Sequence, residues 1–150
     1  MIFGIGTDTF DINRFLNMAK DKIGFDSFLK HSYTENEKCL SFADFKKGLL
    51  YKNAGFEDVI LKDLPDIDDK MLSLACLFCA KEAVFKSLNL SSNTLFHWKD
   101  IEILPSDFAC YTVNLSGLLK EHADKVKIKS VKVDISIDDN MILSGAVTEI

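Results

Sequence analysis

Lys70-Met71-Leu72-Ser73-Leu74-Ala75-Cys76-Leu77-Phe78-Cys79-Ala80-Lys81-Glu82-Ala83-Val84-Phe85-Lys86-Ser87-Leu88 runs without a glycine or a proline. Leu74, Phe78, Phe85 and Leu88 recur along it at a near-helical period, so it reads as the dominant helix of the chain. Asn89 to Asn93 ends it in small polar residues. Downstream the period changes. Val131, Val133, Ile135 and Ile137 alternate with Lys132, Asp134 and Ser136, the pattern of a half-buried strand. Asp138-Asp139-Asn140 is turn chemistry, and Met141 to Ile150 returns as the partner strand. Ile101 to Leu104 and Cys110 to Leu115 read as further strands, and Gly117 to Asp124 as a short helix.

Upstream, residues 1–8 read as a strand closed by Gly4 and Gly6. Ile12, Phe15, Leu16 and Ala19 recur at helical spacing and predict a helix from Asp11 to Lys22. Thr34-x-x-Glu37 is a capping box, which predicts a helix from near Thr34 to about Lys46. Gly48 to Asp69 holds Gly55, Pro65 and a run of aspartates from Asp63 on, and reads as a loop or a weakly structured insertion near residues 45–70. The order of elements predicts an α+β fold, an antiparallel sheet packed against one long central helix, in a single domain over residues 1–150.

Composition narrows the function. The chain is 47% hydrophobic and 27% charged, the balance of a soluble globular protein. Twelve phenylalanines against one tryptophan predict a core of Phe and Leu. A net charge of −5 argues against a nucleic-acid binder, which carries a basic face. The longest apolar run, Met71 to Ala80, is too short for a bilayer, so no membrane span is expected. The N-terminus lacks a basic segment before its apolar run, which Asp8 interrupts, so no secretory leader is expected either. Four cysteines in apolar surroundings then read as reduced, cytoplasmic thiols. Cys76-x-x-Cys79 has no second pair at metal spacing, and His31, His97 and His122 are scattered, so the pair reads as small buried helix residues.

Three residues carry the chemistry. Asp8 ends the run Met1-Ile2-Phe3-Gly4-Ile5-Gly6-Thr7, Glu82 lies inside the long helix, and Lys86 follows one turn later on the same helix face. Magnesium binds through one or two carboxylates plus waters and substrate phosphates. Asp8 and Glu82 could supply those carboxylates if the helix packs across the sheet, and Lys86 could neutralise phosphate charge. Each piece has a plainer alternative. Glu82 and Lys86 could be an ordinary helix ion pair, Asp8 a helix cap, and Gly4-x-Gly6 lacks the third glycine of a dinucleotide fingerprint.

Taken in order, the segments resemble a known family. Met1-Ile2-Phe3-Gly4-Ile5-Gly6-Thr7-Asp8, followed by Asp11-Ile12 and Arg14, is similar to the opening of holo-acyl-carrier-protein synthases, which are 4′-phosphopantetheinyl transferases. Phe78-Cys79-Ala80-Lys81-Glu82-Ala83-Val84-Phe85-Lys86-Ser87-Leu88 resembles their helix signature, phenylalanine-alanine-alanine-lysine-glutamate-alanine with a lysine four past the glutamate. Trp98-Lys99-Asp100-Ile101-Glu102-Ile103 resembles the next strand, and Val133 to Ile150 the final hairpin. The resemblance implies a magnesium-dependent enzyme of fatty-acid and lipid biosynthesis. It would move phosphopantetheine from coenzyme A to a serine of apo-acyl carrier protein. Asp8 and Glu82 would be metal ligands, and Lys86 would contact the phosphates. Either a metal-bound water or Glu82 would take the serine proton. A homotrimer with shared sites is implied as well. The first helix would dock the acidic carrier through Arg14, with Lys20, Lys22 and Lys30 as plausible additions.

The match also breaks. Leu77 stands where the family has arginine, Asn89-Leu90-Ser91-Ser92 where it has a glycine-threonine-glycine loop, and Ile137 where it has histidine. Ser91, Ser92, Lys81 and His97 are candidate replacement donors for the phosphates. The alternative is a catalytically degenerate member that binds the carrier or serves in assembly. Drift that abolished catalysis would not spare Asp8, Glu82 and Lys86 while removing their neighbours, which favours the enzyme.

Overall fold

The computed structural model describes residues 1–49, 68–91, 93–106 and 110–150. The strands are β1 (Ile2–Asp11), β2 (Ile101–Pro105), β3 (Tyr111–Leu115), β4 (Ser130–Asp138) and β5 (Met141–Glu149). The helices are α1 (Ile12–Ala19), α2 (Lys22–Ser32), α3 (Glu35–Cys39), α4 (Phe42–Phe45), α5 (Asp69–Ser87) and α6 (Gly117–Val126). Short 3-10 turns cover Lys46–Gly48 and Trp98–Asp100. The strands form one antiparallel sheet in the order β1-β5-β4-β3-β2.

The predicted hairpin is β4–β5, with Ile137 opposite Ile142 and Asp139 in the left-handed region at the turn, φ 55°. Alternation along β4 buries Val133, Ile135 and Ile137, and along β5 it buries Ile142, Ser144, Ala146 and Thr148. α5 lies across this inner face. It is apolar on most of its circumference because the sheet covers one side and the Phe-rich α1–α2 arm another. Phe78 joins the two layers: its ring meets Phe10, Phe28 and Trp98.

β1 does not close at its glycines. It passes through them to Asp11, and the glycines have a packing role. A Cβ at Gly4 would collide with the Ser87 carbonyl oxygen, and one at Gly6 with the Ala83 carbonyl oxygen. The helix backbone therefore lies directly on the strand backbone, which a side chain would prevent.

The helical arm also departs from the expected reading. The helix predicted over 11–22 stops at Ala19, because Asp21 turns its carboxylate to the Gly24 amide and caps a second helix, α2. The Thr34–Glu37 capping box is present, but α3 ends at Cys39 and Ser41 caps the separate turn α4. The insertion expected near 45–70 falls mostly on residues outside the described ones. Among the described residues, no helix is long and apolar enough to cross a membrane.

Candidate active site

β1 and α5 together build the site. Gly4 and Gly6 bring the strand against the helix, and Asp8 is the next residue on that face. Its side chain is 9% exposed, and its Oδ1 accepts a hydrogen bond from Lys86 Nζ at 2.6 Å. Lys86 also donates to the Thr7 carbonyl at 2.9 Å and is half exposed. The lysine thus pairs across to the strand, and its bond to Asp8 raises its pKa. Asp8 is not a helix cap; that role falls to Asp11, which accepts from the Asn13 amide.

Glu82 sits one turn before Lys86 and faces Asp8. Burial and the adjoining Asp8 carboxylate raise its pKa from 4.5 to about 7, while the charges of Lys86 and Arg14 pull the other way. Two carboxylates share one place here, and one of them resists ionisation as a result. Asp8 Oδ2 is buried and has no hydrogen-bond partner. An orphaned carboxylate oxygen beside a second carboxyl fits a hard divalent cation, which prefers oxygen. Among the described residues, no group of three His, Cys, Asp or Glu side chains comes together to enclose a metal. A cation here would therefore keep open positions for water or phosphate oxygens.

Other candidates fall elsewhere. Lys81 is not a phosphate donor. It is fully buried, and its ammonium donates to Glu37 Oε2 at 2.7 Å, to the Ser32 carbonyl at 2.7 Å and to the Trp98 carbonyl at 3.1 Å. Ser91 lies in an exposed turn after α5, with its hydroxyl 3.1 Å from that of Thr94. Ser92 lies outside the described residues. Asn89 takes the left-handed conformation, φ 51°, and donates its side-chain amide to the Phe3 carbonyl. It supplies the turn that a glycine would otherwise make. Leu77 and Ile137 are buried in the apolar core. Cys76 and Cys79 are buried on α5, with thiols whose pKa burial pushes up, that of Cys79 to about 12.

Arg14 is exposed on α1, with its guanidinium over the Phe10 ring at 5.6 Å. Lys20 and Lys22 stand at the exposed corner between α1 and α2, next to Ile23, which is 86% exposed. Sequence reasoning missed Ser144, directly opposite Asp8 on β5. Only the strand alternation, which turns Ile142, Ser144 and Ala146 to one face, carried a signal for it.

A family model, that of the 4′-phosphopantetheinyl transferase superfamily, matches residues 4–138. The chain belongs to this superfamily. A relative, the holo-[acyl-carrier-protein] synthase of Caldicellulosiruptor saccharolyticus, is 32% identical over 99% of this chain and 98% of its own. The crystal structure of the Neisseria meningitidis holo-[acyl-carrier-protein] synthase shares the fold at a TM-score of 0.71, with 22% identity and all of both chains covered. The Helicobacter pylori synthase, solved in complex with coenzyme A, aligns at a TM-score of 0.64 and 24% identity over 97% of this chain and 99% of its own.

Proposed function

We propose that this chain transfers the 4′-phosphopantetheine group from coenzyme A to a serine of an apo-acyl carrier protein, at a magnesium site held by Asp8 and Glu82. The observation that carries the reading is the orphaned Asp8 Oδ2 beside Glu82, with Lys86 at the open side, in a member of this superfamily. Full-length relatives with this activity in their names support it.

The serine Oγ attacks the phosphorus bearing the pantetheine arm, its proton passes to Glu82 or to a water, and the bond to the departing adenosine 3′,5′-bisphosphate breaks. When bound, magnesium offsets the charge of the pyrophosphate. Lys86 reaches the leaving phosphates because its ammonium is held at the mouth by Asp8 and the Thr7 carbonyl. Lys86 and Arg14 add positive charge around Glu82. Leu77 and Ile137 give no polar contact, so phosphate binding depends on the open side of the site.

The carrier docks on Arg14, Lys20 and Lys22, where exposed Ile23 adds an apolar contact amid the charge. A homotrimer is supported by the outer face of the sheet, where Ile5 is 63% and Leu143 51% exposed on paired strands. The cysteines resolved on the described residues are all free, which suits a reducing cytoplasm. Intact-mass measurement of an apo-carrier incubated with this chain, coenzyme A and magnesium tests the function. The carrier gains one phosphopantetheine group with the wild-type chain and none with Glu82→Gln. A carrier left unmodified by the wild type would sink the proposal.

A further inference from the structure

Ser144 on β5 is the direct antiparallel partner of Asp8 on β1. Residues so opposed hold their Cβ atoms about 4.5–5.5 Å apart on one face of the sheet. That face is the one covered by α5: Ile142, Ser144, Ala146 and Thr148 are all buried along it. Ser144 is 1% exposed, and its hydroxyl has no hydrogen-bond partner. Asp8 Oδ2 is the other buried side-chain oxygen without one among the described residues. A buried polar atom left unpaired is costly, so both orphans falling on a single cross-strand pair marks one place.

The Ser144 hydroxyl lies against the Cys79 sulfur and offsets part of the rise in the thiol pKa, but a thiol is a weak acceptor, and the thiol itself is directed to the main-chain oxygens of Asp8, at 3.5 Å, and Ile142, at 3.8 Å. Farther along the same face, the Thr148 hydroxyl is paired with Ser87 at 2.8 Å, which shows what a satisfied hydroxyl on this strand looks like.

We infer that Ser144 is a positioning residue for the cation site: when a cation is held, its hydroxyl turns from the Cys79 thiol to donate to Asp8 Oδ2 and fixes the carboxylate so that Asp8 and Glu82 face the same cation. This rests on the Asp8–Glu82 site proposed above. Lys86 also orders Asp8, through Oδ1, but it brings a positive charge that repels a cation. A hydroxyl steadies the carboxylate without that repulsion. Outer-shell partners of this kind are typical of metal sites.

Calorimetric titration of the full chain with Mn2+ alone tests the inference on wild type, Ser144→Ala and Asp8→Asn, alongside metal-free melting temperatures. Ser144→Ala weakens Mn2+ binding about tenfold, the usual effect of losing an outer-shell partner. Its metal-free melting temperature stays level or rises, because an unpaired buried hydroxyl has been removed. Asp8→Asn abolishes binding. If Ser144→Ala binds Mn2+ as tightly as wild type while Asp8→Asn does not bind, the role of Ser144 is overturned and the carboxylate pair stands. If the wild type takes up no Mn2+, the pair falls and the inference with it. A metal-free melting temperature lowered by Ser144→Ala, with Mn2+ affinity unchanged, would assign the hydroxyl to strand packing instead.

Discussion

Lys86 has an acidic neighbour on its own helix and another on the sheet, and its ion pair is with the one on the sheet. That choice leaves Glu82 beside the Asp8 carboxyl in a half-buried place. Glu82 titrates near 4.5 in an unfolded chain and near 7 here. Between those values the folded chain holds a proton that the unfolded chain has released, so this site's contribution to stability is present at low pH and is lost as pH rises through about 7. The metal-free melting temperature of wild type minus that of Glu82→Gln should therefore fall from about pH 5 to about pH 8. A flat difference would show that the two carboxyls do not share a site. That Asp8, Glu82 and Lys86 come near one another was expected from family order; spacing alone gave only the shared helix face of Glu82 and Lys86. The fate of Lys81 was not foreseen. It precedes Glu82 by one residue, which turns it about a quarter of the way round the helix, toward Glu37 and the Trp98 turn. Helical spacing places side chains on a face but does not say what lies opposite it.

At the scale of elements, the site depends on how closely α5 approaches β1. Gly6→Ala forces a methyl group into the Ala83 carbonyl, next to Glu82. The expected cost is about 1–3 kcal/mol in denaturant unfolding, as for other overpacked positions, with loss of metal binding as Glu82 is pushed from Asp8. Stability and metal binding both unchanged would contradict the close packing. The buried Lys81–Glu37 pair ties α3 and the end of α2 to α5. Burial pushes the Glu37 pKa up and the Lys81 pKa down, and their mutual attraction offsets only part of this. Lys81→Ala should cost about 3–5 kcal/mol, because it strands a buried carboxylate, whereas Lys81→Met with Glu37→Leu should recover most of that loss. Equal losses in the single and double variants would contradict this account of the pair. The long helix, the C-terminal hairpin and the capping box were legible in apolar period and turn chemistry. The break at Lys20–Asp21 was not, because Asp21 competes for a backbone amide through its side chain, and that contest leaves no trace in the apolar period.

For the molecule as a whole, the sheet has one face covered by α5 and one that nothing covers among the described residues. Ile5 and Val147 are paired on that outer face, as are Thr9 and Leu143. A second and third copy would bury it, and the family resemblance points to that assembly. Leu143→Asp should convert a trimer to monomer in analytical ultracentrifugation; a monomeric wild type would contradict the proposed assembly. The antiparallel sheet and its dominant helix were foreseeable because strand period, helix period and turn signals agree with one another over residues 101–150. The packing role of Gly4 and Gly6 was not, since a glycine reads the same whether it closes a strand or admits a helix.

The central claim, one cation between Asp8 and Glu82, is tested most directly by anomalous diffraction from crystals grown with coenzyme A and Mn2+. The account predicts a single manganese peak in contact with oxygens of both carboxylates and of the bound pyrophosphate. A well-ordered coenzyme A with no peak there, or with manganese bound away from both side chains, would contradict it.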